Sequence, residues 1–189
     1  MRLSQLTPKQ SLNKAYLKEK VTRAGIEVFK KNLVDFIQAI DERESEEHVK
    51  NLVTKFLYDT YYHGKNQINT KGRIDLAIYE DKKPVVIIEA KKPSSSDMVS
   101  VKNLNAKAMH ELILYYLRER IDEGNIDIKY LVATNMHEWF VFDAMVFDRN
   151  LVTLFLTCSS LSLGSMLAIN SFRFFLKSSI SARPTFSFR

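Results

Sequence analysis

Two short apolar runs, Ile74–Tyr79 and Pro84–Lys91, flank the polar tetrapeptide Glu80-Asp81-Lys82-Lys83 and constrain the fold more than any other part of the chain. Runs of this length, rich in branched residues and joined by polar turn formers, predict an antiparallel hairpin. Strand alternation then sets Val85, Ile87, Glu89 and Lys91 on one face, with Val86, Ile88 and Ala90 on the other. An acid and an ammonium therefore leave the end of a buried strand side by side, and the hairpin brings Asp75 close to Glu89. Acids are depleted in strands and costly to bury unpaired, so Asp75 between Ile74 and Leu76 needs a local reason. Two carboxylates at one strand end suit Mg²⁺, with Mn²⁺ as a substitute, because hard cations take oxygen ligands and keep several waters. Asp75 and Glu89 are the metal-ligand candidates, and Lys91 would act beside them on an attacking water and a phosphate. The string itself is weak: Glu80-Asp81-Lys82 also reads Glu-x-Lys, and an ordinary strand-end pair is the bland alternative.

The rest of the pattern supplies helices on either side. Apolar residues at Ile26, Phe29, Leu33, Phe36, Ile37 and Ile40 form one helical stripe and predict a helix from Ser11 to Ile40. After the charged break Asp41–Glu44, Ser45 is an N-cap for a second helix whose apolar face is Val49, Leu52, Val53, Phe56 and Leu57. Tyr61–Lys71 reads as a polar connection and Pro93–Asp97 as a loop. Asn105–Ile121 predicts a third helix with Met109, Leu112, Ile113, Tyr116 and Leu117 inward, ended by Gly124-Asn125. Two further strands follow at Lys129–Thr134 and Trp139–Phe142. The expected fold is α/β, a central mixed sheet flanked by helices, with a helical N-terminal segment at 1–44 and the core at 45–149.

Composition changes at Leu151. All 22 acidic residues precede it, whereas the last 39 residues hold none and nine serines. Residues 150–189 are therefore expected to be foreign to the domain, out of frame or disordered. The uncharged stretch between Arg149 and Arg173 is too rich in Ser, Thr and Asn for a good membrane span. With one cysteine, Cys158, and no apolar leader after Met1, the expected compartment is the cytoplasm. The net charge of +6 permits an acidic partner such as nucleic acid.

Other chemistry is sparse. Glu46 and Glu47 open the second helix, where acids complement the macrodipole without catalytic purpose; either is also placed to add a carboxylate to the site, with Glu46 nearer the apolar stripe. Lys65, Lys71, Arg73 and Lys92 are candidates for a basic rim that contacts DNA phosphates. Glu111 and the Tyr115-Tyr116 pair are candidates to face the acids from the third helix, Tyr116 fitting the core stripe better. The four histidines lack zinc-ligand spacing, and no glycine-rich phosphate loop occurs.

Gly72-Arg73-Ile74-Asp75-Leu76-Ala77-Ile78 followed by Val86-Ile87-Ile88-Glu89-Ala90-Lys91-Lys92-Pro93 resembles the PD-(D/E)XK nuclease superfamily. Together with Glu44–Lys50, Ile68–Arg73, Glu111–Arg120, Tyr130–Asn135 and Glu138–Phe140, it is similar to the N-terminal nuclease region of Eco57I-type (type IIG) restriction–modification polypeptides, over roughly residues 41–149. The resemblance implies a restriction-endonuclease-like fold and Mg²⁺-dependent cleavage of double-stranded DNA. It assigns Asp75 and Glu89 as metal ligands, Lys91 to the water, and Glu46 or Glu47 as the helix acid. Such polypeptides continue into an S-adenosylmethionine-dependent methyltransferase and a recognition domain; their Asn-Pro-Pro-Tyr motif is missing here, so little sequence specificity is expected. An inactive DNA-binding or assembly module of the same fold, and another metal nuclease of that fold, remain alternatives, and a homodimer is left open.

Overall fold

A computed structural model describes residues 6–12, 14–64, 67–71, 74–148 and 187–188. The hairpin expected from the two apolar runs is strands β2 (Ile74–Glu80) and β3 (Lys83–Ala90), antiparallel, with Leu76 opposite Ile88 and Ala77 opposite Ile87. Its turn is tighter than the four polar residues suggested. Asp81 (φ 47) and Lys82 (φ 68) alone make it, both left-handed, as a two-residue hairpin loop requires to match the strand twist.

The connection expected at Tyr61–Lys71 is largely structured. Tyr58–Tyr62 is a π-helical turn, and Gln67–Lys71 is strand β1, antiparallel to β2. Strand β4 (Tyr130–Thr134) runs parallel to β3, and β5 (Trp139–Asp143) antiparallel to β4. The two-residue β6 (Ser187–Phe188) adds to β5, so the spatial order follows the chain order. The parallel step from β3 to β4 needs a crossover, supplied by a helix, Lys107–Leu117, which packs on those same two strands.

Besides helical residues at 144–148, the described α-helices are α1 (Pro8–Ser11), α2 (Arg23–Gln38), α3 (Glu46–Leu57) and the crossover α4 (Lys107–Leu117). The continuous helix expected over Ser11–Ile40 is thus interrupted: a 3₁₀ turn at Tyr16–Lys18 precedes α2, which starts where the Thr22 side chain accepts a hydrogen bond from Gly25 N. Leu12, Leu17 and Val21 are exposed, so no apolar burial offsets the entropy of ordering a longer helix there.

Alternation divides the hairpin between two cores. Ala77 and Ile87 join Leu131, Phe140 and Phe142 under α4, whose Met109, Leu112, Ile113 and Tyr116 are buried. Leu76, Ile78, Ile88 and Ala90 face the opposite cluster, where Val49 and Val53 of α3 and Phe36 of α2 pack. The result is an α/β fold with a mixed sheet covered by α4 on one face and by α3, backed by α2, on the other. No helix among the described residues is long and apolar enough to cross a membrane. The expectation of a foreign segment at 150–189 falls, apart from Ser187–Phe188, outside the described residues.

Candidate active site

The site forms where the end of β3 emerges between α3 and α4. Register carries Asp75 to that end: one step beyond the Leu76–Ile88 pair, its Oδ2 accepts a hydrogen bond from Ala90 N at 3.3 Å. Just past β3, Lys91 N donates to Thr134 O at 2.8 Å, which fixes the exit of the strand against β4. Glu89 and Lys91, on the same strand face, are only 1% and 3% exposed. Lys91 Nζ lies 2.6 Å from Glu89 Oε1 and 2.8 Å from Glu111 Oε2 of α4. The second contact is close but lacks hydrogen-bond alignment, since neither Glu111 Oε2 nor Glu89 Oε2 has a hydrogen-bond partner among the described residues.

Burial, then the nearby Asp75 charge, push the Glu89 carboxyl up to about 9, with Lys91 opposing. Burial also works against the Lys91 charge, but Glu111 and Glu89 outweigh it and raise the ammonium above its ordinary range. Burial would likewise raise Glu111; Lys91 and Glu89 overcome this and hold it below the usual carboxylate range. Of the two acids sharing one ammonium, Glu89, the more buried, is thus the one that takes up a proton. Tyr115, one turn along α4 from Glu111, is pushed up to about 12 by burial and by the charges of Glu89, Glu111 and Asp75. It faces the acids, whereas Tyr116 turns away and donates from its hydroxyl to Asp148 Oδ1 at 2.9 Å.

From the other side, Lys50 of α3 places its ammonium 2.8 Å from Asp75 Oδ1, with its side chain 20% exposed. Glu47 is exposed and meets the same ammonium at 3.7 Å. Glu46 is half-buried, and no described ion pair or hydrogen bond links it to Asp75 or Glu89. The structure thus links Glu47 to Asp75 through Lys50 and describes no such link for Glu46. Sequence reading passed over Lys50; its only signal was a position beside Val49 at the edge of the apolar stripe. Of the expected basic rim, Lys92 is half-buried next to Lys91, and Lys71 ends β1 opposite Ile74. Lys65 and Arg73 lie outside the described residues.

No group of three or more His, Cys, Asp or Glu side chains is arranged to hold a metal among the described residues. A two-carboxylate site is what remains, and Mg²⁺ commonly uses one or two carboxylates with water completing its shell. Glu89 Oε2 is the test of fit: in the ionised carboxyl, leaving this buried oxygen unsatisfied costs on the order of 1–3 kcal/mol, a deficit relieved by a cation or its water, or, without one, by a proton shared with Glu111. Asp75 already holds a positive charge in the form of Lys50.

The chain thus folds as an α/β domain that gathers acids and an amine at the end of its sheet. More particularly, the chain belongs to the family described as a domain of unknown function (DUF7149), which matches residues 6–156. No curated protein and no solved structure matches it.

Proposed function

We propose that this chain is a restriction-endonuclease-like, Mg²⁺-dependent nuclease domain that hydrolyses phosphodiester bonds in double-stranded DNA. The observation that carries this reading is the convergence of Asp75, Glu89 and Lys91 at one sheet end, with Glu89 Oε2 buried and unpartnered. Asp75 and Glu89 would hold the cation, which when bound supplies positive charge toward a phosphate and acidifies water. Lys91, kept charged between two carboxylates and nearly excluded from solvent, presents an ammonium to the same spot, where it orients the attacking water and offsets charge on the phosphate. Glu111 positions Lys91 and keeps it protonated. Lys92, with Lys65, Lys71 and Arg73, would meet the DNA backbone without reading sequence. A restriction–modification setting, with methylation and recognition supplied by other domains, is supported by the sequence resemblance.

The Lys50–Asp75 pair favours one rival: a DNA-binding or assembly module that keeps the fold while a lysine permanently fills the acid site. Plasmid nicking in Mg²⁺ and Mn²⁺ separates them. The nuclease reading expects nicking that falls at least about 100-fold in Asp75→Ala and Glu89→Ala, while circular dichroism shows the fold intact. Salt-sensitive DNA binding without cleavage in either metal would establish the module instead.

A further inference from the structure

Both oxygens of Asp75 are occupied: Oδ2 by Ala90 N at 3.3 Å, and Oδ1 by the Lys50 ammonium at 2.8 Å. Mg²⁺ binds carboxylate oxygen at about 2.0–2.1 Å, so at Oδ1 it and the ammonium compete for one oxygen while their like charges repel at that range. Lys50 is not an incidental surface partner. It sits beside Val49, which is wholly buried in the core shared by α3 and the hairpin, and only 20% of its side chain is exposed. A second acceptor lies on the same helix, one turn back: Glu47 Oε2 is 3.7 Å from the same Nζ and its side chain is 68% exposed. A change of side-chain rotamer is enough to carry the ammonium from Asp75 toward Glu47, with no movement of α3.

Resting on the metal-site reading above, we propose that Lys50 is a built-in counter-ion that holds Asp75 in the cation-free protein and hands it over on metal binding, with Glu47 as the acceptor that receives the displaced ammonium. Lys50 thus sets how tightly the site takes a cation, and Glu47 acts on the metal only through Lys50. The pair gives a conditional site: closed by an internal charge when the cation is scarce, opened by direct competition as it becomes abundant.

The test is Mn²⁺ binding to the full chain, followed by electron paramagnetic resonance of free Mn²⁺ and by the Mn²⁺-induced rise in melting temperature. Lys50→Met, and Lys50→Gln, which keeps a hydrogen-bond donor for Asp75 if the first variant folds poorly, are expected to bind at least about tenfold tighter than wild type. Glu47→Gln is expected to weaken binding in the wild-type background and to have no effect in Lys50→Met, the coupling that distinguishes action through Lys50 from direct contact. Unchanged or weaker affinity in both Lys50 variants, with binding abolished by Asp75→Asn, would overturn the handover while leaving the two-carboxylate site standing. An equal effect of Glu47→Gln in both backgrounds would overturn Glu47 as the acceptor. Failure of wild type and Lys50 variants alike to bind, or full binding by Asp75→Asn, would overturn both the handover and the metal-site reading.

Discussion

Glu89 is the residue whose energetics most clearly set this site apart from a structural ion pair. Its carboxyl is raised from an ordinary value of 4.5 to about 9, first by burial and then by Asp75. Between those values the folded protein holds a proton that the unfolded chain has released, so stability falls as pH rises through that window. In the absence of divalent cations the wild type should therefore lose stability between about pH 5 and 9, while Glu89→Gln, neutral throughout, should show a much flatter profile and be the more stable at pH 8. Urea titrations at pH 5 and pH 8 check this; a wild-type loss that persists unchanged in Glu89→Gln would refute it. A buried acid that costs stability is an anomaly at the end of an otherwise apolar strand. That anomaly was legible beforehand, because an acid following four apolar strand residues stands out and two-residue alternation puts Lys91 beside it. Lys50 was not comparably legible: a helical side chain's partner depends on how the helix is rotated and docked, which its own spacing leaves open.

At the scale of elements, strands with a buried face were readable and those without one were not. The β2–β3 hairpin, β4 and β5 carry apolar runs, whereas β1 reads Gln-Ile-Asn-Thr-Lys, an edge strand with too little patterning to separate from a loop. Helix α3 was announced by Ser45, which does accept a hydrogen bond from His48 N, but the start of α2 was missed because a stripe fixes a helix's face better than its ends. Helical residues 144–148 are tied back to α4 and the turn after it: Asp148 receives two bonds from Arg120, at 3.0 and 3.2 Å, and one from the Tyr116 hydroxyl at 2.9 Å. The Arg120 hydrogen bond is the main reason the Asp148 carboxyl is held below its ordinary 3.8. A depressed acid stabilises the fold above its unfolded pKa, and that contribution is lost as pH falls through the lower folded value. Asp148→Asn should thus cost about 1–2 kcal/mol at neutral pH, and the gap to wild type should close below about pH 4 as the native carboxylate protonates. Chemical denaturation at pH 7 and pH 3 would show it; a gap that stays constant with pH would mean that packing, not charge, is what Asp148 contributes.

For the molecule as a whole, the question is where the folding unit stops. Among the described residues, the two buried clusters run from Phe36 to Phe147, and the family match ends at residue 156. Beyond that point the only described element is β6, two residues paired with Trp139 and Phe140 at the sheet edge. Charge divides at nearly the same place: four of the 28 basic residues and none of the 22 acidic ones follow Asn150, so residues 1–150 carry +2 of the total +6. The described core between Phe36 and Phe147 already covers both faces of the sheet, and burial of apolar surface is the main term favouring the fold. Residues 1–156 expressed alone are therefore expected to unfold in one cooperative transition, with a melting temperature within about 4 °C of the full chain, equivalent to roughly 1 kcal/mol or less for a domain of this size. Calorimetry on both proteins measures this directly. Loss of the cooperative transition in the shorter chain would mean that residues beyond 156 complete the core, and that the sharp change in composition at Leu151 does not mark the end of the domain.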